Sequence, residues 1–182
     1  MADINSNSQD ARHRVEAEDG IRNLLTYIGE DLKREGILDT PKRVAKAYKE
    51  MTRGYKIDID EILAKNFLTD NNEEVIIEDI PFSSLCEHHM LPFFGTVTVR
   101  YKPNGKVVGL SKIPRVIETY SKRLQIQEQL TQQIARALFE KIPNNQGVMV
   151  EIKARHMCVE LRGIKSVGNI TKTTSRYGIY KE

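Results

Sequence analysis

The spacing of the apolar residues changes near Asn72, and that change limits the possible folds more than any other feature of the chain. Before it, apolar residues recur at helical intervals. Val15, Ile21, Leu24, Leu25, Ile28 and Leu32 predict a helix over about 11–35. A second helix is expected to start with Thr40 as N-cap and Pro41 as first helical residue. Val44, Tyr48 and Met51 form its stripe, and Gly54 ends it. A short third helix is expected from Asp60 to Asn66.

After Asn72 the pattern is that of strands. "EEVIIEDI" reads as one, "FFGTVTVRY" alternates, and "NGKVVGL" follows, with Pro103-Asn104-Gly105 expected to close a hairpin between the last two. "IPRVIETYSKRL" and "IQEQLTQQIARALFEKI" return to helical spacing, the second with Ile126, Leu130, Ile134 and Leu138 at i, i+4. "VMVEIKARHMCVEL" is expected as one long strand and "SRYGIY" as the last. Helices, hairpin, helices, hairpin is the order of an α+β protein with an antiparallel sheet. Residues 1–10 are expected to be a mobile tail. Residues 11–182 are expected to form one domain, helical over 11–66 with a core over 73–182.

The chain has no apolar run near the ~18–20 residues of a membrane span. Its start, "MADINSNSQD", has no apolar signal core, so a cytoplasmic location is expected. A net charge of +3, with no long basic run and no aromatic-rich basic motif, argues against nucleic acid as partner. It suits a few cations placed for a small anion.

The chain has two cysteines and four histidines. His88, His89 and His156 each lie within three positions of Cys86 or Cys158, so "CEHH" is answered by "HMC". Pro81 and Pro92 bracket the first cluster, which predicts a loop where Cys86 and His89 converge. His156 and Cys158, two apart in a strand, would face one side. Four arrangements accommodate such a pairing: a disulfide, two inert buried thiols, a closed structural zinc site, or a catalytic zinc site with one position left for water. The last leaves spare histidines suited to acid–base work.

"GLSKIPR" puts Ser111, Lys112 and Arg115 where a strand enters a helix, an arrangement that suits a polyanion. Arg162 follows the second cluster, and Arg43 and Lys46 lie about a turn apart on the second helix. Taken alone, each reads more readily as a solvated surface charge. Gln127 and Glu128 could meet the edge of a base with an amide and a carboxylate, or form the polar first turn of a helix.

"SLCEHHMLPFFG", "VVGLSKIPR", "RLQIQEQLTQQIA" and "ARHMCVELRGI" follow the order and spacing of GTP cyclohydrolase I, and "DTPKRVAKAY" resembles that family's N-terminal helix. The likeness runs from about Ile21 to Gly178. It implies the tunnelling fold: an antiparallel sheet with helices on one face and an N-terminal helical region, assembling into a β-barrel ring. The implied assembly is a homodecamer of two pentamers with sites built from neighbouring subunits. The implied reaction converts GTP to 7,8-dihydroneopterin triphosphate with loss of formate, the first step of pterin and folate biosynthesis. By the same resemblance Cys86, His89 and Cys158 hold Zn2+, and His88 and His156 move protons near the ribose and base, with Ser111 assisting. Gln127 and Glu128 recognise guanine. Ser111, Lys112, Arg115 and Arg162 cradle the triphosphate, with Arg43 and Lys46 joining them. The pattern departs at Thr171-Lys172-Thr173-Thr174-Ser175, where the family usually shows Lys-Thr-Val-Thr-Ser.

Overall fold

The computed structural model describes residues 3–181, which divide into two units, residues 1–50 and 51–182. The first holds α1 (Asp3–Tyr27) and all but the last residue of α2 (Thr40–Met51). α1 begins inside the segment expected as a tail, whose first two residues lie outside the described ones. It stops at Tyr27 rather than near Glu35. Gly29 takes the left-handed conformation (φ 86°) that ends a helix, and the Glu30 N–H reaches back to the Leu25 carbonyl at 3.0 Å. The Lys49 ammonium meets the Asp10 carboxylate at 2.6 Å, an exposed pair of the kind that contributes about 0–1 kcal/mol.

The second unit contains α3 (Ile59–Leu63), β1 (Asn66–Leu68), β2 (Val75–Cys86), β3 (Pro92–Lys102), β4 (Lys106–Val108), α4 (Lys112–Ser121), β5 (Leu124–Gln125), α5 (Gln127–Lys141), β6 (Gly147–His156), α6 (Met157–Glu160) and β7 (Thr171–Gly178). Five strands form one sheet in the order β5-β2-β3-β6-β7. Every neighbouring pair is antiparallel except β2 and β5, so the sheet is mixed rather than wholly antiparallel.

Strand alternation creates the core. Phe93, Val97, Val99 and Tyr101 of β3 and Val148, Val150, Ile152 and Ala154 of β6 are all buried and share one face. α4 covers that face over β2, and α5 covers it over β6 and β7. Leu130, Ile134 and Leu138 of α5 are fully buried, each adding about 2 kcal/mol of apolar burial.

Four details differ from the expected pattern. β3 and β4 do not form a hairpin. β4 pairs instead with β1, a strand in the segment just after the expected third helix, and makes a separate two-stranded sheet. β2 runs straight through Pro81 to Cys86. A bulge between Ile77 and Ile80, with Asp79 at φ 52°, shifts the register there and accommodates the proline. Gly54 lies in a short 3-10 turn, Arg53–Lys56, beyond the end of α2. The strand expected to include Cys158 ends at His156, and Met157–Glu160 is a helical turn.

Gly95 fixes how closely β3 and β6 approach. It sits opposite Ala154, and a Cβ built there would lie 1.9 Å from the Lys153 carbonyl oxygen. Gly95→Ala must push the two strands apart. We expect it to lower stability by about 1–3 kcal/mol, read as a lower urea midpoint at unchanged slope.

Candidate functional site

One end of the sheet gathers the chemistry-bearing residues. β2 ends at Cys86, β3 starts at Pro92, β6 ends at His156, and β5 leads into Gln127 and Glu128. The antiparallel register sets Phe93 opposite His156, and the parallel one sets Cys86 opposite Gln125. The chain therefore returns to this edge from four strands.

The turn after β2 brings the first cluster together. Cys86 N–H donates to the Leu91 carbonyl and the Met90 N–H to the Cys86 carbonyl, both at 2.8 Å, with Met90 in the left-handed region at φ 55°. The loop folds back on the thiol, so Cys86 Sγ lies 3.8 Å from His88 Nδ1 and 3.8 Å from His89 Nδ1. Cys158 arrives from α6. Its tether is the buried Glu160 carboxylate, gripped by both arms of Arg155 at 2.8 and 2.6 Å. Arg155, together with the Gly168 N–H, holds that carboxyl below the usual range against the opposing effect of burial.

Ligand atoms of Cys86, His89 and Cys158 all lie within 4.8 Å of one another. Two sulfurs and an imidazole so placed match the soft, tetrahedral preference of zinc and leave one position open. Both thiols are free, so this pair forms no disulfide. Burial raises the Cys158 thiol above its ordinary pKa, and the neighbouring Cys86 sulfur raises it further. Two thiolates this close repel, and a divalent cation relieves that repulsion. The residues present therefore fit a metal ion. His88 stands at the rim, exposed, with Glu87 3.9 Å away.

Next to this group, the His156 ring stacks on Phe93 at 4.7 Å with the planes 2° apart. Burial lowers the pKa of His156, and the nearby Glu128 carboxylate opposes the shift. Glu128 is exposed on the first turn of α5. Gln127, expected with it at a base edge, is instead buried at 1% exposure, and its side-chain oxygen lies 2.7 Å from His156 Nε2.

The residues expected to hold an anion lie on several elements. Ser111 and Lys112 open α4, with Arg115 exposed one turn on. Ser111 makes no side-chain cap bond. α4 then runs away from them toward Lys122 and β5. Its first turn thus lies a helix length, about 15 Å at 1.5 Å per residue, from the end that feeds β5. Arg162 belongs to the metal-ligand side, where its Nη1 donates to His89 Nε2 at 2.8 Å. Arg43 and Lys46 are exposed residues of the first unit, and Arg43 pairs with Asp39 at 3.3 Å. No helix among the described residues is long and apolar enough to cross a membrane.

Sequence reasoning did not foresee Phe93 as the platform for His156 or the Arg155–Glu160 clamp. The alternation of "FFGTVTVRY" predicts a strand, but only the strand register shows what stacks on Phe93.

These features define a class: α+β proteins that gather a Cys2His metal-ligand set at the edge of a mixed sheet, with a second, partly buried histidine beside it. A family model described as GTP cyclohydrolase I matches residues 17–182. The chain is 52% identical over 164 residues to GTP cyclohydrolase 1 of Campylobacter concisus, covering 90% of this chain and 86% of the relative. It is 48% identical over 170 residues to GTP cyclohydrolase 1 of Allorhizobium ampelinum, covering 92% and 84%. Among solved structures, an apo archaeosine synthase QueF-Like aligns with 60% of this chain and 97% of its own, at 18% identity and a TM-score of 0.47. The chain belongs to the GTP cyclohydrolase I family.

Proposed function

We propose that the chain converts GTP to 7,8-dihydroneopterin triphosphate with release of formate, using zinc held by Cys86, His89 and Cys158. The observation that carries this reading is the convergence of those three ligands beside a histidine held in a fixed pose. Bound there, zinc acts as a Lewis acid and makes water nucleophilic near neutral pH.

The chain's own groups do the rest. The Glu128 carboxylate accepts from the N–H groups on the pyrimidine edge of guanine, a pairing that adenine cannot offer. His156 delivers a proton to N7 as C8 is attacked, because loss of aromaticity there builds negative charge on that nitrogen. His88, exposed at the rim, shuttles protons at the ribose as it opens and rearranges, with Ser111 assisting. The triphosphate does not react. Lys112, Arg115 and Arg162 use it to orient the base.

The reaction centre is shared between copies of the chain. What supports this is the direction of α4, which separates Ser111, Lys112 and Arg115 from the end that leads to the metal-ligand group. A ring of copies, a decamer of two pentamers by resemblance, brings one chain's first α4 turn to a neighbour's thiols.

Incubation with GTP tests the reading. A catalyst yields formate and, after oxidation, a fluorescent pterin, and a chelator stops both. A nucleotide-binding protein returns GTP unchanged, and that result would end the proposal. His156→Ala should keep its zinc and lose about 10²–10⁴-fold in formate release, the range for removal of a positioned proton donor. Normal formate release by that variant would remove His156 from the role.

A further inference from the structure

Proton accounting around Gln127 settles which way its amide points. The Gln127 Nε2 faces three acceptors: the Ile152 carbonyl at 3.1 Å, the Thr171 carbonyl at 3.0 Å and Thr173 Oγ1 at 3.1 Å. The hydroxyl among them can only accept. Thr131 spends its single proton on the Gln127 backbone carbonyl at 2.6 Å. Thr131 Oγ1 must then accept the Thr173 proton across their 2.6 Å contact, which leaves Thr173 a lone pair for the amide. Turning the amide over would set its oxygen against two carbonyl oxygens. That arrangement is excluded in a site where Gln127 is 1% exposed and unmade hydrogen bonds are expensive.

The amide oxygen is therefore committed to His156 Nε2 at 2.7 Å, and an acceptor there requires a proton on Nε2. Phe93 holds the plane of the same ring by stacking. Among the described residues no group hydrogen-bonds to Nδ1.

We propose that Gln127 is a positioning residue that locks neutral His156 in the Nε2–H tautomer, so that Nδ1 is the ring atom that first takes up a proton and then hands it to substrate. The lock draws on three elements: α5 supplies Gln127 and Thr131, β6 the Ile152 carbonyl, and β7 Thr171 and Thr173. Thr173 stands in the one segment that departs from the family pattern, and its hydroxyl closes the chain of donors. The kinetic part of this inference rests on the proton-transfer role proposed above for His156. The tautomer does not.

The test has two arms. In the first, zinc-loaded protein labelled with ¹⁵N-histidine is examined by magic-angle-spinning NMR at a pH where His156 is neutral, with its signals assigned by their loss in His156→Asn. The expected spectrum has a protonated Nε2 and a bare Nδ1. The opposite pattern, or an even mixture, overturns the lock. In the second, Gln127→Met removes the acceptor at similar length. The expected result is a kcat about 10–100-fold lower with KM for GTP within about twofold and zinc content unchanged. A Gln127→Met protein with normal kcat and a raised KM would instead make Gln127 a reader of the base. Should the parent protein release no formate from GTP, the proposed reaction fails while the spectrum still decides the tautomer.

Discussion

Cys158→Ser is expected to leave purification with less than about a tenth of the parent's zinc and to release no formate from GTP. A serine hydroxyl does not ionise at neutral pH, so the substitution removes one of three ligands and half the anionic charge that holds the cation. The fold should survive. Cys158 lies on a four-residue turn outside the sheet, and the Arg155–Glu160 clamp that anchors the turn is untouched. The measurement is metal content beside turnover, with circular dichroism to confirm the sheet. Chelation of the parent protein should reproduce the loss, and added zinc should reverse it. A serine variant with full zinc and normal turnover would show that the metal is held elsewhere.

Two inactive proteins are expected to restore activity when their chains are mixed. One parent is Cys158→Ser. The other carries Lys112→Ala and Arg115→Ala, which leaves the metal ligands intact but strips the first turn of α4 of its cations. If each centre takes its thiols from one chain and its anion site from the next, random assembly gives some centres both intact halves. A one-to-one mixture should recover about a quarter of parent activity, the fraction expected around a ring of head-to-tail contacts. Mixing must occur during assembly, by co-expression or co-refolding, with each chain tagged so that mixed rings can be isolated. Mixed rings no more active than their parents would place the whole centre within one chain.

The sequence pointed to the cysteine–histidine clusters but not to the way they are brought together. Residue type and pairing drew out five candidates, Cys86, His88, His89, His156 and Cys158, and only the resemblance narrowed them to Cys86, His89 and Cys158, whose ligand atoms the fold brings within 4.8 Å of one another. Reading 148–161 as one strand put His156 and Cys158 on a single face. The strand in fact ends between them, held by an ion pair that local periodicity does not encode. Periodicity also found α4, α5 and the alternating β3 and β6, where local pattern and tertiary burial agree. It failed at β4, whose partner, β1, lies about forty residues back and carries no turn signal linking the two. Gln127 shows the deeper limit. From sequence its amide is free to read a base, and only the three acceptors contributed by β6 and β7 reveal that the amide is already engaged.

α4 acts as a ruler. It runs from the cationic first turn to the strand that leads into Gln127 and Glu128, so, if the centre is shared between copies as proposed, its length sets the span that a neighbouring copy must match. Inserting one residue would lengthen the rod by about 1.5 Å and swing one end by about 100° relative to the other. Point changes on its outer surface leave that gauge intact, whereas insertions and deletions miscalibrate it. Length variation is better absorbed at the exposed turns near Asn104 and Asn144, where no catalytic spacing is measured.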